Sequence, residues 1–217
     1  AGKSSLFRVL GGLWHLEEGY VRKPSRGAGP KSAKDDEGLA SDIFYVPQKP
    51  YVSVGTLIEQ LIYPSTLDSD RQLVDNPEML KGLLEQVDLL YLLTEFGRYT
   101  SNAEDNVSLS SSASSDLDGS VHKGNPSVLD ASTTVVNWSE VLSLGEQQRL
   151  GMARLFYHKP RFAILDECTS GVTNDMEERF CEIVENMGCT CITISHRPAL
   201  VAFHDKVLHL DGEGGWT

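Results

Sequence analysis

Phe162-Ala163-Ile164-Leu165-Asp166-Glu167 is an apolar run that ends in two carboxylates. A strand buried on both faces of a parallel sheet reads as such a continuous apolar run. Open α/β sheets bind ligands outside the carboxyl ends of their strands, so this strand delivers Asp166 and Glu167 to a ligand edge. Just upstream, Val141-Leu142-Ser143-Leu144-Gly145-Glu146-Gln147-Gln148-Arg149 is a short polar loop that opens directly into a helix. Its backbone N–H groups and the helix dipole suit an anion.

Ala1-Gly2-Lys3-Ser4-Ser5 leads into the apolar spacing of Leu6-Phe7-Arg8-Val9-Leu10. Gly2, Lys3 and Ser4 fit the end of the phosphate-loop pattern G-x-x-x-x-G-K-[ST], which sits between a strand and a helix. The first Gly and its strand are expected upstream of Ala1, so the chain reads as a fragment cut inside its own nucleotide site. Such a fragment is expected to bind ATP weakly. In this pattern Lys3 places an ammonium against the β- and γ-phosphates, and the Ser4 hydroxyl binds Mg²⁺. Taken with the two downstream motifs, it points to nucleoside triphosphate chemistry.

Strand and helix signals alternate at both ends of the chain, which argues for a parallel α/β fold. Helix is expected from Lys3 to about Gly11, and a short strand from Gly19 to Lys23. Pro24 to Gly38 reads as a loop. Ile43 to Val46 reads as a strand stopped by Pro47, with Gln48 just past its end. Thr56 and Glu59 form a capping-box pattern for a helix through Tyr63. Pro77 and Glu78 suit the first turn of another helix, and Met79 to Leu93 carries helical periodicity. Eight serines fall between Ser101 and Ser120. Such composition buries too little surface to offset ordering entropy, so residues 101–134 are expected to form a disordered insert. Further helices are expected at Glu146–Tyr157, Asp175–Met187 and Pro198–Phe203, and strands at Phe162–Leu165, Thr190–Ile194 and Lys206–Leu210. Residues 1–56 and 158–217 would then form the core, with 57–157 an inserted helical subdomain.

Asp166 at a strand end suits Mg²⁺, held through water, and Glu167 can polarise an attacking water as general base. Gln48 could sense a γ-phosphate through metal or water. His196, at the end of Thr190-Cys191-Ile192-Thr193-Ile194-Ser195, can donate a hydrogen bond to a γ-phosphate and orient the water. His15, His122, His158, His204 and His209 read as ordinary surface or core residues. The loop at Ser143, Leu144 and Gly145 has no phosphate of its own in a one-nucleotide fold. A head-to-tail dimer supplies one, each loop closing on the partner's ATP.

The 217 residues carry a net charge of −12, with 40% apolar and 23% charged residues. The apolar content is ordinary for a globular domain. The acidic balance argues against a nucleic-acid surface, which needs clustered Lys and Arg. No apolar run approaches the roughly 18 residues that span a bilayer. Any membrane link is therefore expected through a partner or through sequence outside this chain. Cys168, Cys181, Cys189 and Cys191 lack zinc-type spacing and read as free thiols, with Cys189 and Cys191 on one side of a strand.

The order Lys3, Gln48, Ser143, Asp166, Glu167, His196 resembles the nucleotide-binding domain of ABC transporters, a P-loop NTPase cassette with a mostly parallel sheet and an inserted helical subdomain. Leu142 to Arg154, Asp166-Glu167-Cys168-Thr169-Ser170, Ser195-His196-Arg197-Pro198 and the ending Leu210 to Trp216 resemble the peroxisomal fatty-acyl transporter subfamily. This resemblance implies ATP contacts from Gly2, Lys3, Ser4, Ser5, Gln48, Ser143, Gly145 and Glu146. It implies Mg²⁺ at Ser4, Gln48 and Asp166, and catalysis by Glu167 and His196. It also implies a second nucleotide-binding domain and transmembrane domains as partners. The parent would use ATP to move very-long-chain fatty acids or their CoA esters into peroxisomes, with this domain on the cytosolic face. Leu144, where most cassettes have Gly, and Gly171-Val172-Thr173, which lacks the usual Asp, depart from the pattern. A soluble ABC-type ATPase of DNA repair, chromosome maintenance or translation would share the same motifs. A degenerate regulatory nucleotide-binding module is the non-enzymatic alternative.

Overall fold

The computed structural model describes residues 3–10, 14–21, 43–95, 134–211 and 215–217. Gly2, the whole of the 24–38 loop and residues 101–133 of the Ser-rich insert lie outside them. The chain divides into two compact units, residues 1–50 with 158–217, and residues 51–157.

The first unit is built on a parallel sheet. Strands β1 (Ile43–Val46), β4 (Phe162–Asp166) and β5 (Thr190–Ile194) lie in the order β1-β4-β5. Ile164 of the central strand pairs with Tyr45 on one side and Ile192 on the other. β4 is buried from Ala163 to Asp166, as its apolar run requires. Ile164 and Ile194 form the apolar heart of the sheet, with Ile43 and Tyr45 packed on them. Helix α1 (Lys3–Leu10) precedes the sheet in sequence. Helix α7 (Asn174–Asn186) makes the crossover from β4 to β5 and buries Phe180, Val184 and Glu177. A 3₁₀ helix at Pro198–Phe203 follows.

The second unit interrupts the sequence between the paired strands β1 and β4. It holds an antiparallel pair, β2 (Val54–Gly55) with β3 (Val136–Asn137), and helices α2 (Leu57–Ile62), α3 (Gln72–Asp75), α4 (Pro77–Gln86), α5 (Trp138–Val141) and α6 (Leu144–His158). The final residue of α6 falls in the first unit. Thr56 and Glu59 close a capping box on α2. Asn76 caps α4 ahead of Pro77. Leu57, Leu61, Leu80, Leu84, Leu92 and Leu150 are fully or almost fully buried.

Three expected elements differ. The helix expected over Met79–Leu93 ends at Gln86, because Asp88 adopts φ +52, a left-handed conformation that no α-helix continues. Helix resumes over residues 91–95. Gly19, Tyr20 and Val21 are not strand and pair with no strand among the described residues, Tyr20 is largely exposed, and Arg22 and Lys23 lie outside the described residues. Lys206–Leu210 is not a sheet strand either. Its end folds back on the last residues, with Leu210 bridging Trp216 and His209 exchanging backbone hydrogen bonds with Thr217.

Candidate functional site

The carboxyl ends of β1, β4 and β5 bring together residues far apart in sequence. Asp166 ends β4 and Glu167 follows it. The Glu167 backbone N–H donates to the Ile194 carbonyl at 3.0 Å, which fixes the turn to the end of β5. Glu167 has φ +48, a conformation that a non-glycine residue holds only when its surroundings impose it.

The Glu167 carboxylate gathers two partners. Gln48 Nε2 donates to Oε2 at 3.2 Å, and His196 Nε2 lies 3.0 Å from Oε1. Lys3 Nζ lies against the same imidazole, 3.2 Å from Nδ1 and 3.4 Å from Nε2. A carboxylate only accepts, so the contact with Glu167 Oε1 calls for the hydrogen on His196 Nε2. Lys3, His196, Glu167 and Gln48 thus form a continuous polar chain. The His196 side chain is 73% exposed, which leaves its face open to a ligand.

Asp166 is buried behind this chain, and Tyr45 Oη donates to its Oδ2 at 2.8 Å. The backbone of Ser4 lies in α1, and Ser5 beside it is half-buried. Among the described residues no three His, Cys, Asp or Glu side chains cluster as a metal cage. A single buried carboxylate such as Asp166 is compatible with Mg²⁺, which uses one or two protein ligands together with water and substrate phosphates.

The loop at Ser143 belongs to the second unit. Ser143 caps α6: its N–H donates to Glu146 Oε2 at 2.8 Å, and its hydroxyl accepts from the Glu146 N–H at 3.4 Å. The Tyr91 hydroxyl and Arg149 also reach the Glu146 carboxylate. Burial would raise the Glu146 pKa, but the Ser143 and Tyr91 hydrogen bonds and the Arg149 charge hold it below its usual value. Burial, the Glu146 hydrogen bond and its charge push the Tyr91 hydroxyl up in turn. Leu144, the first residue of α6, is exposed.

His158 stacks on Phe44, and His204 bonds the Leu200 carbonyl and the Thr193 hydroxyl, so both are structural. The four cysteines are free thiols, and Cys189 and Cys191 lie on one side with their sulfurs 4.0 Å apart. The sequence gives no periodic signal for Tyr45, Tyr91 or Arg197, whose contacts arise only from the fold. Adjacency to His196 is the one cue for Arg197.

A parallel sheet with a lysine, two acids and a histidine at its carboxyl edge defines a nucleotide-binding domain of the P-loop class. The ABC transporter family model matches residues 1–170. ABC transporter D family member 1 of Arabidopsis thaliana is 54% identical over 100% of this chain, which covers 13% of that protein. ATP-binding cassette sub-family D member 3 of Homo sapiens is 39% identical over 99% of this chain and 26% of its own length. In structure the chain is similar to a bacterial Atm1-family ABC exporter with ATP bound, at a TM-score of 0.58 and 18% identity, over 97% of this chain and 30% of that one. This chain belongs to the ABC transporter family and has the fold of its P-loop cassette. It spans about an eighth to a quarter of the length of these relatives. No helix among the described residues is long and apolar enough to cross a membrane.

Proposed function

We propose that this chain is the ATP-hydrolysing motor domain of a membrane transporter. The single observation behind the reading is the chain of contacts from Lys3 through His196 and Glu167 to Gln48, set beside Asp166 at one sheet edge. ATP supplies the phosphoryl group whose transfer to water releases the free energy, and Mg²⁺ neutralises charge on its phosphates. Lys3, with Gly2, Ser4 and Ser5, binds the β- and γ-phosphates at the start of α1. Asp166, Ser4 and Gln48 hold the Mg²⁺. Glu167 accepts a proton from the attacking water, and His196 orients that water and the γ-phosphate.

Ser143, Gly145 and Glu146 serve the nucleotide of a second nucleotide-binding domain in a head-to-tail dimer. The start of α6 offers backbone N–H groups to that phosphate. Residues 1–56 and 158–217 act as the nucleotide core and 57–157 as the subdomain carrying the Ser143 loop. Transmembrane domains elsewhere in the same transporter are the remaining partners. Nucleic acid is not one, as the net charge of −12 argues.

The D-family relatives and the Ser195-His196-Arg197-Pro198 and carboxyl-terminal motifs support import of very-long-chain fatty acids or acyl-CoA. The domain would then work on the cytosolic face of the peroxisomal membrane. The same relatives favour a transporter over a soluble ATPase. Contact between Glu167 and His196 favours an active site over a degenerate module.

The test uses the full-length protein in membranes. Glu167→Gln should lower ATP turnover by about 10²–10⁴-fold while ATP stays bound. Unchanged turnover would remove Glu167 as the base.

A further inference from the structure

Arg197 follows His196 directly and turns its guanidinium inward. Nη1 donates to Glu177 Oε2 at 2.9 Å and to Asn174 Oδ1 at 3.3 Å. Nη2 donates to the carbonyl oxygens of Val172 at 3.1 Å and Ser170 at 3.3 Å. The Arg197 backbone N–H donates to Ser195 Oγ at 3.0 Å, which braces the segment itself. Glu177, 3% exposed, also accepts the Thr169 hydroxyl.

These contacts surround the turn that leaves Glu167. At its start, the Glu167 N–H is held by the Ile194 carbonyl. At its end, Ser170 and Val172 are held by Arg197. Both anchors belong to the short segment 194–197, and His196 lies between them. The Glu167 backbone, at φ +48, is one that only surrounding contacts can maintain.

A buried carboxylate needs a paired cation, and this need accounts for the contact of Nη1 with Glu177. It does not account for Nη2 reaching two backbone carbonyls of the adjoining turn. A planar guanidinium can do both at once, because its donors form a rigid fork. We infer that Arg197 is a positioning residue that locks the 167–173 turn and so fixes the Glu167 carboxylate relative to the His196 imidazole. The inference rests on the roles proposed above for those two residues.

The test compares Arg197→Lys, Arg197→Ala and Glu167→Gln in the full-length transporter, reading kcat and KM for ATP beside the thermal transition. Lysine keeps the charge facing Glu177 but cannot also span both carbonyls. Arg197→Lys should therefore leave KM within about three-fold and lower kcat about ten-fold or more, as small misplacements of reacting groups do. Combined with Glu167→Gln, it should lower turnover no further than Glu167→Gln alone. A wild-type kcat in Arg197→Lys, or a loss of activity that merely tracks the folded fraction, would overturn the inference. If the alanine variant does not fold, the lysine variant carries the test. If Glu167→Gln itself left turnover intact, the functional reading would fail. If Glu167→Gln stopped turnover while Arg197→Lys did not slow it, only the role of Arg197 would fail.

Discussion

The Tyr45 hydroxyl donates to Asp166 Oδ2 at 2.8 Å across the β1–β4 pair. Tyr45 is in register with Ile164, so Asp166, two residues on, lies on the same face and within diagonal reach. One oxygen of the proposed Mg²⁺ carboxylate is thereby oriented by a neighbouring strand. Burial first, then the bond to Asp166 and its charge, push the Tyr45 hydroxyl up from 10.0 to about 12.

That shift gives the first prediction a sign. The fold favours the neutral phenol, so the stability it contributes is complete below pH 10 and is lost as pH rises from 10 toward 12. Tyr45→Phe should cost about 1–3 kcal/mol near neutral pH through the lost charge-assisted bond. It should also soften the alkaline fall in stability. Urea unfolding at pH 8 and pH 11 checks both, and identical curves for variant and wild type would refute the role.

The Ser143–Glu146 capping box gives the opposite pH sign. The depressed Glu146 carboxyl adds stability that is present above its usual 4.5 and is lost as pH falls through and below that value. Glu146→Gln should flatten this acid limb, followed by circular dichroism between pH 6 and pH 3. Ser143→Ala should cost about 1 kcal/mol through the lost cap. A Glu146→Gln curve parallel to wild type would show that the carboxylate contributes nothing to folding.

Much of this arrangement was legible in the chain. The apolar run before Asp166 marks β4, because burial on both sheet faces forbids polar residues there. Thr56 with Glu59, and Pro77 with Glu78, announce their helices through local first-turn preferences that need no tertiary context. The break after Gln86 was not legible. Apolar periodicity continues through the buried Leu89, Leu92 and Leu93, the last two of which lie on a second helical segment. Order in the chain picks out Lys3, Gln48, Glu167 and His196, but the contacts of Tyr45 and Arg197 follow from strand register and turn geometry.

Arg154, on α6, is 4% exposed. Its Nε and Nη1 donate to the carbonyls of Gln60 and Tyr51, and the guanidinium lies 5.2 Å from the Tyr63 ring centroid. Burial pulls its pKa down to about 10, so it stays charged near neutrality. Arg154→Lys keeps a charge but cannot reach both carbonyls, leaving one without its donor. The expected loss is about 1–3 kcal/mol for that stranded polar group, read from urea unfolding. Arg149→Lys, at a less buried position on the same helix, should cost less. Equal losses would remove Arg154 as an anchor.

Trp138, fully buried, ties the β2–β3 pair to the core of its unit through Nε1, which donates to the Gly55 carbonyl at 2.8 Å. Trp138→Phe keeps an aromatic ring but strands that carbonyl, so a loss of about 1–3 kcal/mol is expected. Gly55 also limits the capping box from its other side. A Cβ there would stand 2.8 Å from Glu59 Oε2, the oxygen that receives the Thr56 N–H. Gly55→Ala should therefore push the Glu59 carboxylate out of the box and cost about 1 kcal/mol. Gly55 also has φ +157, a backbone that residues with a side chain rarely adopt, so combining Gly55→Ala with Glu59→Ala separates the causes: the loss beyond Glu59→Ala alone measures the backbone, and it should be smaller than the loss in Gly55→Ala. An additive double variant would mean that glycine is needed at 55 for its backbone and not for the space it leaves Glu59.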